Sequence, residues 1–269
     1  MSLYRPTLEA DEVSSFDTDR KFRALRRIYA FHHTRRFEWL KKKLTTLGKQ
    51  NVSILEIGCN DARSLNYVPL RVHRYLGFDA GWRSGWKNGH PHGLEAARVR
   101  FRKHPNFEFR KSTRHEDLFD VDERFDVAIV LETFEYLDPA QLEPYVFLLS
   151  EKLKDDGSIF CTMPNEKGLP LLMKVIGSKL SGVRRSEYTL PQLWNALLGR
   201  MDRVPRSPRG RKGFDYAAIA RLVQGHFARV SLEPVEPPNS PLWLSLNVGL
   251  VASKQDQAQS VHLRGQGVS

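Results

Sequence analysis

Short apolar runs and stretches with helical spacing alternate along the middle of the chain. The apolar runs are of strand length, and several of them are separated by stretches whose apolar residues recur every three or four positions. This alternation predicts an α/β domain with a parallel sheet covered by helices on both faces. The predicted strands are 52–57, 75–78, 107–109, 125–131, 158–163, 229–235 and 243–252, and the predicted helices between them are 94–103, 139–153 and 214–227.

Three segments depart from this alternation. Apolar positions at helical spacing among basic residues predict an amphipathic helix over 20–47, with a break near His32 and His33. The alternation then stops for a stretch too long for an ordinary loop, which predicts an insertion with helices of its own. The polar end of the chain predicts a disordered tail. The expected organisation is a basic helical extension at 1–48, a domain at 49–254 with an insertion at 166–213, and a tail at 255–269.

The composition is that of a globular protein with a basic surplus. The chain has 269 residues, of which 41% are hydrophobic and 27% are charged, so it can bury a full core. Its net charge of +11 favours anionic partners such as phosphate groups, lipid head groups or nucleic acid. The surplus is concentrated at 20–43, where ten basic residues face Glu38 alone, and at 179–213, where nine face Glu187 and Asp202. Charge runs are also typical of solvated faces without a partner.

The sequence carries neither a membrane-spanning stretch nor a metal motif. No run approaches the roughly 20 apolar residues of a spanning helix, and the N-terminal residues lack the pattern of a secretory signal. The expected location is the cytoplasm, with peripheral membrane contact through the basic N-terminal helix as an option. Cys59 and Cys161 lack the paired spacing of a zinc site, so we expect reduced thiols and no metal.

The most informative segment is the first predicted strand with its following turn, VSILEIGCNDARS at 52–64. Glu56 stands near the end of the strand, and Gly58 opens the turn. At the carboxyl end of a parallel strand a glycine lets the backbone approach a ligand closely, and the next helix offers amide donors. Asp79 ends the second strand about 20 residues later, the spacing at which a carboxylate in Rossmann folds binds ribose hydroxyls. A glycine turn alone is common in α/β proteins.

Three further segments follow in order along the chain. They read STRHEDL at 112–118, FDVAIVLETFEYL at 125–137 and KLKDDGSIFCTMPN at 152–165. The first follows the third predicted strand, the second contains the fourth strand, and the third contains a turn that leads into the fifth. In that turn we expect Gly157 to adopt a positive φ.

Together, these segments resemble the motifs of class I S-adenosylmethionine-dependent methyltransferases. The match at 125–137 is the best, because the family's fourth strand is followed by a turn of the LEVLEHL type. The resemblance covers 52–165 well and 214–254 loosely, and it leaves out the N-terminal helix and the insertion. It implies a Rossmann-like seven-stranded sheet, mostly parallel with an antiparallel last strand, and S-adenosyl-L-methionine as the cofactor.

The sequence departs from the family at three positions. The family usually has glycine where Asn60 and Ala62 stand, although both substitutes are small and asparagine tolerates a left-handed backbone. Tyr136 stands where the family usually has histidine. These departures leave room for a module that keeps the fold without catalysis.

The resemblance also implies which residues hold the cofactor. Arg114 and His115 would flank the adenine, while Leu131 and Glu132 would line the methionine moiety. The full set lies at the ends of the first, second and fourth strands and in the loop after the third: Glu56, Gly58, Cys59, Asn60, Asp61, Asp79, Arg114, His115, Leu131 and Glu132.

Catalysis on an alcohol acceptor needs a general base. Glu135 is the first candidate, Tyr136 would orient the acceptor, and His115 is a reserve. Alternatively, Glu132 and Glu135 are charges at a helix N-terminus, where the helix dipole favours them by up to about 1 kcal/mol.

The insertion bears on the acceptor. Its apolar stretches at 169–176 and 190–198, joined by Arg184 and Arg185 and followed by a basic run at 200–212, suit an amphiphilic substrate with an anionic head. The expected acceptor is a small molecule, a sugar or a lipid-linked compound, with or without phosphate, methylated on oxygen. RNA methylation is the less favoured alternative, because the chain lacks the Asp/Asn-Pro-Pro-aromatic motif of many base methyltransferases. A catalytically silent binding module is the other alternative.

Overall fold

The computed structural model describes residues 23–82, 84–87, 89–180, 188–208 and 210–254. The predicted tail at 255–269 lies outside this range, as do Arg184, Arg185 and Arg209. Side chains are described from Thr34 onward. None of the helices in the described part of the chain combines the length and the apolar composition that crossing a membrane needs.

Nine strands are found among the described residues, and seven of them form one sheet. The sheet order is β5-β2-β1-β6-β7-β9-β8, and β3 and β4 form a separate hairpin. The strands are β1 (Asn51–Ile57), β2 (Arg71–Asp79), β3 (Gly85–Lys87), β4 (His90–His92), β5 (Phe107–Lys111), β6 (Phe125–Leu131), β7 (Leu153–Pro164), β8 (Arg229–Glu236) and β9 (Asn247–Ser253).

The pairing of the strands confirms the expected topology. β1 pairs in parallel with β2 and β6, β2 with β5, and β6 with β7, while β9 runs antiparallel to both β7 and β8. Only the last strand therefore runs against the others. Because parallel strands end at the same edge, the carboxyl ends of β1, β2, β6 and β7 meet there, where ligands bind in open α/β sheets.

Helices cover both faces of the sheet. They are α1 (Arg23–Thr45), α2 (Leu94–Arg100), α3 (Pro139–Glu151), α4 (Gly168–Leu180), α5 (Leu190–Leu197) and α6 (Tyr216–Gln224). Apolar residues of α3 and α6 share one core with the sheet, and those of α1 and α2 share the other. Helix α3 starts where its sequence predicts, because the Asp138 carboxylate accepts a hydrogen bond from the Ala140 amide and Pro139 fills the first turn.

Helix α1 packs against the sheet. Phe37, Trp39, Leu40 and Leu44 are buried, and the Trp39 Nε1 donates to Glu233 Oε1 of β8 at 2.7 Å. A Cβ on Gly249 of β9 would lie 2.5 Å from the Trp39 ring, so this glycine makes room for the helix. The predicted break at His32 and His33 is wrong, since the helix runs unbroken through them.

Two further predictions about local structure are wrong. Gly157 lies within β7 without a positive φ. The position favours glycine for a different reason, because a Cβ there would come 2.8 Å from the Lys154 carbonyl oxygen. The strand expected at 243–252 begins only at Asn247, since Leu242–Leu244 forms a 3₁₀ turn. The insertion does contain helices, namely α4 and α5.

Candidate active site

The turn after β1 has three left-handed positions in five residues. The φ angles are +77° at Gly58, +49° at Asn60 and +54° at Ala62. The amides of Gly58 and Cys59 both donate to the Phe78 carbonyl oxygen, at 2.7 and 3.0 Å, which fixes the turn against the end of β2. Asparagine and alanine thus adopt the backbone for which the family uses glycine, at a cost of about 1 kcal/mol or more for alanine.

Gly58 is needed for a reason the sequence does not show. A Cβ at this position would lie 2.1 Å from Thr133 Oγ1. That hydroxyl lies 3.2 Å from the Ile57 carbonyl oxygen and 3.1 Å from that of Leu131, which holds it between the ends of β1 and β6. The space expected to admit a ligand next to Gly58 therefore holds the Thr133 side chain.

Glu56 is a buried carboxylate at the end of β1. It accepts hydrogen bonds from the Tyr75 hydroxyl, at 2.6 Å, and from the Ser64 hydroxyl. Burial raises the pKa of Glu56 to about 7, although the hydrogen bonds from Ser64 and Tyr75 oppose this rise. The carboxyl group therefore titrates near neutral pH.

A cleft of about 50 Å³ opens between α1 and the turn. Its walls carry opposite charges, with Arg36 on α1 and Glu56 on β1. The Arg36 guanidinium lies 4.8 Å from the centre of the Phe37 ring, and its charge lowers the pKa of Glu56 slightly. A guanidinium and a carboxylate at one cleft are groups that can bind the carboxylate and the ammonium group of an α-amino acid. The remaining lining residues are Phe37, Gly58, Cys59, Asn60, Asp61, Arg63, Ser64 and Leu131.

Asp79 lies beside this turn at the end of β2. Its Oδ2 accepts from the Asn60 amide at 3.0 Å, and its Oδ1 accepts from the Gly81 amide at 2.7 Å. The carboxylate is partly exposed, so each oxygen keeps acceptor capacity for a ligand. Among the residues predicted to bind the cofactor, Glu56, Gly58, Asn60 and Asp79 are thus brought together.

Arg114 and His115 lie at another part of the same edge. Arg114 is exposed, and His115 Nδ1 lies 2.6 Å from Gln141 Oε1 on α3. The His115 ring also makes an edge contact with Tyr145, at 6.1 Å between ring centres. These contacts place His115 against α3, so its role as a reserve base near Glu135 gains no support from the structure.

Two carboxylates after β6 form a buried cluster with an arginine of the insertion. Arg211 Nη2 donates to Glu132 Oε2 at 2.9 Å, and Arg211 Nε lies 3.6 Å from Glu135 Oε1. Glu135 is fully buried, and neither of its carboxylate oxygens has a hydrogen-bond partner within the described residues. Glu132 has a φ of +51°, which a non-glycine residue adopts only where the surroundings impose it.

The charges in this cluster shift one another's pKa values. Burial and the nearby Glu132 raise the pKa of Glu135 to about 8, although Arg211 opposes the rise. Burial alone would lower the pKa of Arg211, but Glu132 and Glu135 keep it above the usual range. Arg211 is therefore charged, and Glu135 exchanges its proton in the range where a general base works near neutral pH.

A second arginine of the insertion fixes the same turn. Arg206 Nη2 donates to the carbonyl oxygens of Phe134 and Leu137, at 2.9 and 3.1 Å, and its guanidinium lies 5.1 Å from the Phe214 ring centre. The Gly210 amide donates to the Glu135 carbonyl oxygen at 3.2 Å. The basic run at 200–212 is thus neither wholly solvated nor wholly free to bind an anion.

Tyr136 and the cysteines complete the comparison with the predicted site. Tyr136 is 37% exposed, whereas the adjacent Glu135 is buried, so the two side chains meet different surroundings. Cys59 and Cys161 are free and buried, and burial raises the pKa of both thiols. Within the described residues no cluster of metal ligands is found.

Comparison with known proteins shows which solved structures share the fold of this chain. No protein-family model and no curated protein matches the sequence. Similar solved structures include the PH0226 protein of Pyrococcus horikoshii OT3, with a TM-score of 0.53, 16% identity, and coverage of 83% of this chain and 91% of that one. Another is the magnesium protoporphyrin IX methyltransferase of Synechocystis PCC 6803, solved with bound SAH, with a TM-score of 0.50, 13% identity, and coverage of 86% and 88%.

A third similar structure is the methyltransferase domain of a bacterial Hen1 protein, with a TM-score of 0.50, 14% identity, and coverage of 83% of this chain and 99% of that one. The chain has the class I methyltransferase fold. At these identities the likeness concerns the fold alone, so the chemistry has to be argued from the residues of this chain.

Several residues of this methyltransferase-fold site could not be found from the sequence motifs. Arg36 belongs to a helix that the resemblance does not cover, and Arg206 and Arg211 belong to a basic run that is equally typical of a solvated face. Thr133 and Tyr75 act through packing and a hydrogen bond across neighbouring strands. The signal available for the arginines was their position next to apolar segments, which did not specify a partner.

Proposed function

We propose that the protein is an S-adenosylmethionine-dependent methyltransferase. The observation that carries this proposal is the placement, on a methyltransferase fold, of the left-handed turn, Asp79 and the cleft between Arg36 and Glu56 at one edge of the sheet. Each of these groups matches a different part of the cofactor. A binding module that had lost the cofactor site would have no reason to keep all three together.

The residues present fit the cofactor by their chemistry. Asp79 would accept hydrogen bonds from the ribose hydroxyls, Arg36 would bind the carboxylate of the methionine moiety, and Glu56 would bind its ammonium group. When bound, the cofactor supplies a methyl group activated by a sulfonium centre. The chain's task is to hold an acceptor in line with that methyl group and to exclude water.

We further propose that the acceptor is methylated on oxygen and that Glu135 takes its proton. Within the described residues neither carboxylate oxygen of Glu135 has a hydrogen-bond partner, although Arg211 lies close by, so both oxygens are able to accept a hydrogen bond from an acceptor hydroxyl. Arg211 and Glu132 would position Glu135, and Tyr136 would contact the acceptor from the exposed side. The acceptor class remains a small molecule, sugar or lipid-linked compound of anionic or amphiphilic character.

Truncated ligands test the cofactor assignment. S-adenosylhomocysteine carries the amino-acid group that Arg36 and Glu56 would bind, whereas 5′-methylthioadenosine lacks it. In equilibrium dialysis, Arg36→Met should weaken binding of S-adenosylhomocysteine about tenfold and leave binding of methylthioadenosine unchanged. The exposed Lys42→Met, on the same helix, is the matched control. If the wild type binds neither ligand, the proposed function is wrong.

The pH dependence of turnover tests the base. With an acceptor found by screening, kcat/KM should rise with pH through an apparent pKa of about 8. Glu135→Gln should remove this rise and lower the plateau by about 10²-fold or more. A Glu135→Gln enzyme with the wild-type rate and profile would exclude Glu135 as the base.

A further inference from the structure

The insertion presents an apolar surface that no described element covers. On α4, Leu169, Met173 and Ile176 follow one another at helical spacing, and all three are exposed. On α5, Leu190 is 83% exposed and Trp194 is 63% exposed. Large apolar side chains exposed as a group on a soluble domain indicate an interaction surface.

These side chains lie on elements that contact one another. Helix α4 contacts both α5 and the 3₁₀ turn Leu242–Leu244, whose Trp243 is 64% exposed. The inner sides of the two helices are occupied, because Leu171 and Ala196 are buried in a small core between them. In the part of the chain that the structure describes, no element covers their outer sides. We refer to Leu169, Met173, Ile176, Leu190, Trp194, Leu198 and Trp243 as the insertion face.

The charges around the insertion face are mainly positive. Lys179 follows Ile176 by three residues and continues the exposed stripe of α4, while Arg200 and Arg203 follow α5 directly and are exposed. Asp202 is the exposed acid among the described residues of this helix pair, 168–180 and 188–208. The net charge of the chain, +11, adds long-range attraction to anionic surfaces.

We propose that the insertion face docks onto an anionic lipid bilayer. Helices that place leucine and tryptophan on an exposed side with lysine and arginine beside them lie in the membrane interface, where tryptophan is favoured and anionic head groups attract the basic residues. The insertion face belongs to the same insertion as Arg206 and Arg211, which contact the turn after β6. This inference does not depend on methyl transfer.

The described side chains of the N-terminal helix offer no comparable apolar surface. In the part of α1 whose side chains are described, Phe37, Trp39, Leu40 and Leu44 are used against the sheet. Those apolar residues are not available to a bilayer without undocking the helix. The exposed apolar residues of α4 and α5 need no such rearrangement.

Co-sedimentation with vesicles tests the proposal. The full chain is mixed with vesicles of phosphatidylcholine alone and with vesicles that contain about one third phosphatidylglycerol. The wild type should bind the anionic vesicles, bind the neutral ones weakly, and dissociate at high salt. The double variant Leu190→Ser/Trp194→Ala should lower the partition coefficient about tenfold or more, because two large apolar side chains no longer enter the interface.

A matched control separates the insertion face from exposed tryptophan in general. Trp86 in β3 is 65% exposed, so Trp86→Ala removes a similar side chain elsewhere and should leave binding unchanged. Equal binding of wild type and the double variant would overturn the proposal, as would absence of binding to anionic vesicles. So would a dimer of the free protein that the double variant converts to a monomer, because the insertion face would then bind a second copy of the chain.

Discussion

At the scale of single residues, backbone positions with a left-handed φ shape the candidate site. Gly58, Asn60 and Ala62 hold the turn, and Glu132 adopts the same region of φ on the neighbouring strand end. The sequence motif predicted a tight glycine turn at Gly58 without specifying its φ, and the tolerance of asparagine for a left-handed backbone explains Asn60. At Ala62 the only signal was the glycine that the family usually has there, because alanine itself does not favour a positive φ. Glu132 gave no signal, since only the tertiary packing imposes its positive φ.

Substitution of Gly58 separates backbone strain from steric conflict. Gly58→Ala should destabilise the fold by about 2–4 kcal/mol, because the new Cβ combines a left-handed φ with a contact to Thr133. Gly89 has the same φ of +77° with no neighbour within 4 Å, so Gly89→Ala should cost only about 1 kcal/mol. Urea unfolding measures both. Equal losses for the two variants would show that Thr133 does not fill the space next to Gly58.

The raised pKa of Glu56 makes stability depend on pH. The unfolded carboxyl loses its proton near pH 4.5 and the folded one near 7, so the folded state holds more protons between these values and its stability falls as pH rises. Glu56→Gln should remove up to about 3 kcal/mol of this fall. Unfolding curves from pH 4 to 8 test this, with the exposed Glu151→Gln as a control. An unchanged fall in Glu56→Gln would contradict the assignment.

At the scale of elements, periodicity predicted most of the strands and helices. The observed β6 coincides with its prediction, and the other sheet strands differ mainly at their ends. The hairpin of β3 and β4 was missed, because its three-residue strands are too short and polar to show alternation. The continuity of α1 was missed because two histidines interrupt its apolar pattern, whereas packing against the sheet supports the helix.

Two arginines of the basic run in the insertion belong to the fold and not to a solvated face. Arg206 and Arg211 are partners of the turn after β6, and Arg211 pairs with two buried carboxylates. A charge run in a sequence does not show which of its members will be buried, because that depends on groups distant in the chain. The insertion is thus bound to the candidate site by ion pairs and hydrogen bonds.

Loss of Arg211 should weaken the attachment of the insertion to the turn after β6. Arg211→Met leaves Glu132 and Glu135 without their counter-charge, so we expect a loss of about 3 kcal/mol in stability and faster proteolysis of the insertion. The exposed Arg203→Met should have little effect. Adding Glu132→Gln and Glu135→Gln to Arg211→Met should restore most of the stability. A stable Arg211→Met with unchanged proteolysis would contradict the role of the pair.

At the scale of the whole molecule, the sheet topology was the most predictable feature. Alternating strand and helix patterns predicted a parallel sheet, and the resemblance to class I methyltransferases implied the antiparallel last strand that the structure contains. What the sequence could not predict is how the parts outside the motifs join the domain. Helix α1 contributes Arg36 to the cleft, and the insertion contributes Arg211 to the carboxylate cluster, so both belong to the candidate site.

Calorimetric titration of the full chain with S-adenosylmethionine tests the central claim most directly. The wild type should bind in the micromolar range, and Asp79→Asn should bind about tenfold more weakly. Asparagine keeps one acceptor for the turn, but it lacks the negative charge that strengthens the hydrogen bonds from the ribose hydroxyls. The exposed Asp122→Asn should bind like the wild type. Absence of binding, or equal affinity of Asp79→Asn and wild type, would contradict the proposed cofactor site.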